Sequence, residues 1–300
     1  MYIVTRRKTF FILAGAFVAL ALGSLAVFGL SIGPDFTGGT LAEARYSEGR
    51  PAIEELRASL DAAGLSGYLL RTTEEDGYIL RAGVLADEER AALPEALSLG
   101  GAYPASIERL TEVGPTVGVE LRNKALVALV LVALLIVLFI AFAFRKVSEP
   151  VSSWMYGFIA IVTLLFDVLV PVGAFAFFGY LWGAQVDALF VTALLAILGY
   201  SVNDTIVVFD RVRENLRLNQ EGNVREDFAE TAGRSLKQTY ARSINTSLTT
   251  LLVLAALYVF GPSATQDFAL TLIVGVIAGT YSSIALATPL LVAVAHRRVR

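Results

Sequence analysis

The chain has 300 residues, 56% of them hydrophobic, and its mean hydropathy of +0.66 lies well above that of an ordinary soluble domain. Cysteine is absent, which excludes disulfides and thiolate metal sites; the one histidine, His296, stands among Arg297, Arg298 and Arg300 and reads as an interfacial residue, not a ligand. Formal charge is only −3, so the distribution of charge is more informative than its sum.

Residues 10–32 are the first long run without Asp, Glu, Lys or Arg. At about 1.5 Å per residue such a run crosses a hydrocarbon layer about 30 Å thick. Thr5-Arg6-Arg7-Lys8-Thr9-Phe10 before it superficially resembles a twin-arginine export signal. The run is longer than a signal's apolar core, however, and Gly33-Pro34-Asp35 ends it with no Ala-x-Ala-type site. An uncleaved first span over 1–32 is expected.

Residues 33–121 carry seven Arg against sixteen Asp and Glu, a net charge of −9. Residues 41–46 alternate apolar and polar as a strand does. Residues 51–63 read as a helix, with Pro51 near its start, Leu56 and Leu60 on one face and Gly64 as its stop. Strands at 68–73 and 78–82 flank Glu74-Glu75-Asp76-Gly77, whose Asp-Gly favours a hairpin turn. A second helix at 87–98, interrupted by Pro94, and a strand at 105–112 complete the order βαββαβ, which suggests a small ferredoxin-like α+β domain. No phosphate loop, metal cluster or catalytic triad is present there, so an interaction surface is expected in preference to an enzyme.

Residues 122–300 hold the remaining apolar runs, at 125–144, 152–178, 188–209, 243–260 and 268–295. The fold class expected is therefore a polytopic α-helical membrane protein, a six-helix bundle with the α+β domain inserted after the first span. Arg6, Arg7 and Lys8, Arg145 and Lys146, six Lys and Arg between Arg211 and Lys237, and the C-terminal arginines all fall on one side of such a bundle. Both termini are accordingly placed in the cytoplasm. Trp154 and Trp182 mark opposite ends of the third span as interfacial anchors. The segment near 211–239 reads as a helix on the cytoplasmic interface, its basic face too sparse for nucleic acid.

Two acids lie at membrane depth. Asp204 is six residues, about 9 Å, deeper than Asp210, which sits beside Arg211 at the cytoplasmic edge. A charged Asp at the centre of a span costs about 2.5–3.5 kcal/mol on insertion scales. It either stays protonated as a bland structural group or carries protons through a wet interior. On the fifth span, Arg242, Asn245, Thr246 and Thr249 share one helical face and offer Asp204 a partner. A carboxyl that gains and loses a proton beside a fixed guanidinium has two electrostatic states, a means of moving helices. The alternative is static helix–helix glue. Asp167, four residues before Pro171, is a second candidate ranked below Asp204, because Pro171 frees a carbonyl it would serve locally. Gly275 and Gly279, and Gly15, Ala19 and Gly23, permit close helix packing.

Several stretches carry a specific resemblance. Gly33-Pro-Asp35-Phe-Thr-Gly38-Gly39-Thr40 and Val113-Gly114-Pro115-Thr-Val-Gly118-Val-Glu120-Leu121 resemble the motifs after the first helix and before the second helix of SecF proteins. Gly199-Tyr-Ser-Val-Asn203-Asp204-Thr-Ile-Val-Val-Phe-Asp210-Arg211-Val-Arg213-Glu214-Asn215 is very similar to that family's longest signature. Arg242-Ser-Ile-Asn245-Thr-Ser-Leu-Thr249-Thr250 and Gly279-Thr-Tyr-Ser-Ser283 complete the set. The resemblance implies pairing with SecD in a twelve-helix assembly of the resistance–nodulation–division type in the bacterial inner membrane. It further implies action with the SecYEG channel after SecA, with proton-driven help to emerging preproteins. Asp204 and Arg242 match the family's proton-pathway positions, with Asn203 and Asp167 beside them; Asp35, Gly38, Gly39, Gly114, Pro115, Asp210 and Asn245 are motif positions of structural type. Phe166 departs from the pattern, since many relatives have histidine there. A small-molecule or lipid exporter of the same superfamily is an alternative that the chain's length disfavours, and a passive Sec assembly factor is another. No ATP-binding motif occurs, and neither a cofactor nor an enzymatic activity is expected.

Overall fold

The computed structural model describes residues 2–73, 76–144 and 151–298, with the backbone alone for Ser153 and 296–298. The basic pair Arg145 and Lys146, the turn residues Glu74 and Glu75, Arg300 and the side chain of His296 lie outside the described residues. The chain begins with α1 (Tyr2–Thr5), α2 (Arg7–Phe28), α3 (Pro34–Thr37), β1 (Gly39–Tyr46), α4 (Ile53–Ala62), β2 (Leu69–Thr73) and β3 (Gly77–Ala82). It continues with α5 (Asp87–Leu97), β4 (Ala105–Val113), α6 (Pro115–Ala143), α7 (Ser153–Trp182), α8 (Ala188–Glu221) and α9 (Phe228–Phe260). Last come α10 (Gln266–Tyr281) and α11 (Thr288–Arg298), joined through a π-helical turn at Ser282–Ala287. The contacts divide these elements into two units, residues 1–29, 128–177 and 190–300 in one and 30–127 with 178–189 in the other.

The smaller unit holds a four-stranded antiparallel sheet in the order β2-β3-β1-β4. Alternation along β1 and β3 turns Ala42, Ala44, Tyr46, Tyr78, Leu80 and Ala82 to one face, where they pack against Leu56 and Leu60 of α4 and Leu93 and Leu97 of α5. Two buried tyrosines satisfy their hydroxyls within this core: Tyr46 donates to the Leu97 carbonyl at 2.8 Å and Tyr78 to the Pro51 carbonyl at 2.7 Å. Asp76 takes a left-handed conformation, φ 48°, and lets β3 begin at Gly77. Pro94 does not interrupt the second helix. It lies within α5, where the loss of one backbone bond near the C-terminal end is outweighed by burial of Leu93, Ala96 and Leu97 on either side.

Among the described residues, six helices are long and apolar enough to cross a membrane: Arg7–Phe28, Pro115–Ala143, Trp154–Trp182, Ala188–Glu221, Phe228–Phe260 and Ser263–Ala295. Burial is uneven among them. The third, fourth and sixth form the interior, while α2, α6 and α9 lie on its outside with large apolar side chains such as Ile12, Val130 and Val253 exposed. The segment between the fourth and fifth spans is not a separate interfacial helix. It consists of the ends of α8 and α9 themselves, which meet as a helical hairpin across the turn at residues 222–227. On α2, Gly15 and Gly23 face open space; the close approach is instead at Gly173 of α7, where a Cβ would fall 2.4 Å from the Ala21 Cα. Ala14 and Ala21, seven residues apart, are the buried stripe of α2.

A polar seam inside the helical bundle

The seam is built where α8 meets α10 through small residues. A Cβ on Gly275 would fall 2.2 Å from the Ile197 side chain, and one on Gly279 would fall 2.9 Å from the Ser201 Cβ. The glycine pair thus lets α8 lie against α10 closely enough to set Ser201 deep in the bundle. There Ser201 donates a hydrogen bond to Asp167 Oδ2 of α7. Asp167 is fully buried, and its Oδ1 has no partner. Ser282, first residue of the π-helical turn, faces the same carboxyl but bonds the Gly279 carbonyl at 3.1 Å. A π-turn at such a place widens the helix and frees backbone and side-chain groups to face a neighbour. Phe166 is enclosed by Phe17 at 6.5 Å and Tyr281 at 5.8 Å between ring centroids, so this aromatic packs as core beside the acid.

Asp204 lies three residues beyond Ser201 on α8, hence on the same face and about 5–6 Å away at Cβ. It is 5% exposed. Across from it is Ser243 of α9, and neither Asp204 Oδ2 nor Ser243 Oγ closes a hydrogen bond. Thr205 Oγ1 and Thr288 Oγ1 are likewise buried without partners. A second polar cluster links the same helices through Ser247: Tyr200 donates to its hydroxyl at 3.2 Å, and Thr280 Oγ1 lies 2.6 Å from it. Buried polar groups with hydrogen-bonding capacity left over within the protein are rare in cores, and such a group calls for a water, an ion or a proton as its partner. A carboxyl bonded to the Ser201 hydroxyl, with a second carboxyl one turn further along α8, is an arrangement of that kind.

The face of α9 read from helical spacing lies elsewhere. Arg242, Asn245 and Thr249 are exposed on this chain, as is Asn203 on α8, while Ser243 and Ser247 turn inward. No ion pair joins Asp204 to Arg242 among the described residues. Spacing identifies residues that share a face but not which face turns inward. Asn245 uses its carbonyl to accept from Thr249 at 3.0 Å. Of the groups forming the seam, Ser201 and Ser282 stand inside the motifs quoted above, three residues from Asp204 and from Gly279 respectively, and that periodicity is the signal that could have found them.

Asp210 is exposed and pairs with Arg213 at 2.5 Å, one turn along the helix and not with the adjacent Arg211. The end of the same motif is spent in the α8–α9 hairpin. Buried Asn215 donates to Ser235 Oγ at 2.7 Å and Gln238 Oε1 at 2.8 Å, and Arg211 reaches Gln238 at 2.7 Å. Glu226 in the turn accepts from Arg234 at 2.5 Å, Thr231 at 2.7 Å and Asn219 at 2.8 Å. The Arg234 guanidinium foremost, helped by Asn219 and Thr231, holds the Glu226 carboxyl down at about 2 against the opposing effect of burial.

In the smaller unit the flanking motifs meet each other. Asp35 Oδ2, in the first turn of α3, accepts from the Ala188 N–H at 3.0 Å and so caps the first residue of α8. Gly38 and Gly39 have φ of 78° and 148°; a Cβ on them would lie 2.7 Å from Pro115 Cα and 2.4 Å from the Ala82 carbonyl oxygen. Pro115 opens α6, where its missing N–H costs nothing. Gly114 stands in open space and serves through its carbonyl, which accepts from Gly118 at 3.0 Å.

A family model described as "Protein export membrane protein SecD/SecF, C-terminal" matches residues 98–297. The chain is 42% identical to the protein translocase subunit SecF of Thermobaculum terrenum, over 97% of this chain and 92% of that one. It is 36% identical to the protein translocase subunit SecDF of Thermus thermophilus over 93% of this chain, but spans only 36% of that longer protein. The crystal structure of Thermus SecDF, described as a translocon-associated membrane protein, superposes with a TM-score of 0.85 at 32% identity, covering 99% of this chain and 39% of that one.

Proposed function

The chain belongs to the SecF family of protein translocase subunits, and from that premise we propose that it is one half of a SecDF-type assembly that couples proton entry to the export of preproteins. It is a multi-pass membrane protein. The observation that carries the reading is the seam itself: Asp167, bonded by Ser201, and Asp204, one helical turn from Ser201 on α8, are both enclosed in the bundle with hydrogen-bonding capacity left over.

The second half is SecD. Arg242, Asn203 and Asn245 lie exposed on this chain, and an arginine left to lipid without a partner is costly. A second bundle seated on that face removes the cost and brings its own acid to Arg242. The Thermus protein that carries both names in one chain supports this choice of partner. With Asp204 ionised, the field of Arg242 holds α8 and α9 together. Once the carboxyl is protonated, that attraction is lost, and α8 and α9 are free to shift. The assembly acts with SecYEG, after the SecA-driven stage, on the emerging preprotein.

The chain lies in the bacterial inner membrane with both termini cytoplasmic, following the basic residues at its ends and in the α8–α9 turn. Residues 33–121 then form the domain outside the cytoplasm, between a first span at 1–32 and five more in 122–300. Its βαββαβ order and its strand order support a ferredoxin-like fold. Asp204→Asn in cells, with SecD present, tests the reading. Lost preprotein export at unchanged assembly with SecD is expected; normal export would favour a passive assembly factor.

A further inference from the structure

The three cations at the start of the chain are held in place. Val4 of α1 is buried among Leu291, Val292 and Ala295 of α11, and Ile3 packs beside Val208, Leu236 and Ile284. The chain then turns at Arg6, with φ −97° and ψ 28°, and enters α2 at Arg7. Arg6, Arg7 and Lys8 therefore sit on a fixed bend and not on a loose tail.

Between that bend and the first turn of α9 lies a cavity of about 630 Å³, lined by Val4–Thr9 with Ala229 and Glu230. Three cations and one acid leave its wall with a net charge of +2. None of the three cations forms an ion pair among the described residues, and no side chain caps the N-terminus of α2. The hydroxyls of Thr5 and Thr9 also line the cavity. Because α2 is a membrane span, its first residues stand at headgroup level whichever side they face. Directly beyond them α2 presents exposed Ile12, Leu13 and Leu20, an apolar track beside the charged cavity.

We propose that this cavity binds the phosphate group of an anionic glycerophospholipid, with the acyl chains lying along α2. Arginine forks suit phosphate oxygens, and each basic side chain near an anionic surface adds to the attraction. A topology signal would need the same charges but neither the buried anchor at Val4 nor a cavity. The inference depends only on α2 spanning the membrane and stands apart from the proton-coupling reading.

The test is lipid retention by the full-length purified protein in native mass spectrometry, titrated with phosphatidylglycerol, phosphatidylcholine or inorganic phosphate. Phosphatidylglycerol adducts are expected on the wild type, with the triple variant R6Q/R7Q/K8Q weakened about tenfold or more. Removing the opposing acid by Glu230→Gln is expected to raise retention, and this arm decides the matter should the triple variant fail to insert. Equal retention of phosphatidylcholine, unchanged retention in Glu230→Gln, or displacement of phosphatidylglycerol by inorganic phosphate at equal concentration would overturn the proposal.

Discussion

Ser201 of α8 donates its hydroxyl proton to Asp167 of α7, and the closeness of that contact depends on a residue of a third helix, Gly279. The three form one unit: a larger residue at 279 pushes on Ser201, and Ser201 is what ties the buried acid to α8. Gly279→Val is therefore expected to destabilise the bundle by about 1–3 kcal/mol, the usual cost of overpacking a core. It should also reduce export more than Gly15→Val, since Gly15 faces open space. Thermal unfolding of both variants in detergent, paired with an export assay, checks this.

The meeting of the two flanking motifs in the smaller unit is fixed by backbone approach and one cap. Gly39→Ala is expected to prevent formation of the β1–β3 pair near Ala82, because its Cβ would enter the Ala82 carbonyl. Asp35→Ala should cost about 0.5–2 kcal/mol through loss of the Ala188 cap. Hydrogen exchange at Ala188 and along β1 reads both effects separately.

The α8–α9 turn has a definite pH signature. The Glu226 carboxyl is held at about 2 in the fold, below its ordinary value of 4.5. A lowered carboxyl favours the folded state fully above the ordinary value and loses that contribution as pH falls from there toward 2. Exchange protection of the turn should fall over that acidic window in the wild type, and in Glu226→Gln it should be low already at neutral pH and flat with acidification.

Tyr46 shows the opposite sign. Burial, and then the neighbouring Tyr78, push its hydroxyl up to about 12. Its contribution to the fold is complete below the ordinary tyrosine value of 10.0 and disappears as pH rises from there to about 12. Phenolate absorbance of the wild type minus that of Tyr46→Phe should show one late-titrating tyrosine. The same variant should lose about 0.5–1.5 kcal/mol with the bond to Leu97.

The spans and the strand–helix order of the inserted domain were legible because both rest on periodicity and on runs of like residues, which are local properties of a sequence. The buried acids were legible for a related reason: a carboxyl inside a long apolar run is conspicuous wherever it points. What the acids touch was not. Asp167 finds Ser201 thirty-four residues away, and only the packing of α8 on α10 makes them neighbours. In the sequence Arg242 offers itself as a partner for Asp204 because it stands on a polar face. That face is exposed on this chain, and Ser243, one residue on, turns inward in its place. α9 carries two polar stripes, one exposed and one turned inward, and periodicity alone does not assign them. The π-turn at Ser282–Ala287 has no propensity signature and arises from tertiary packing. Pro94 reads as a break in the sequence because helix rules weigh the missing N–H and not the leucines that hold α5 down.

Proton flux through the chain reconstituted with SecD in liposomes, driven by an imposed pH gradient, tests the coupling most directly. Asp204→Asn and Asp167→Asn should each abolish gradient-driven flux while co-purification with SecD is unchanged, and Ser201→Ala should slow it. Undiminished flux in Asp204→Asn would contradict a proton route through the seam.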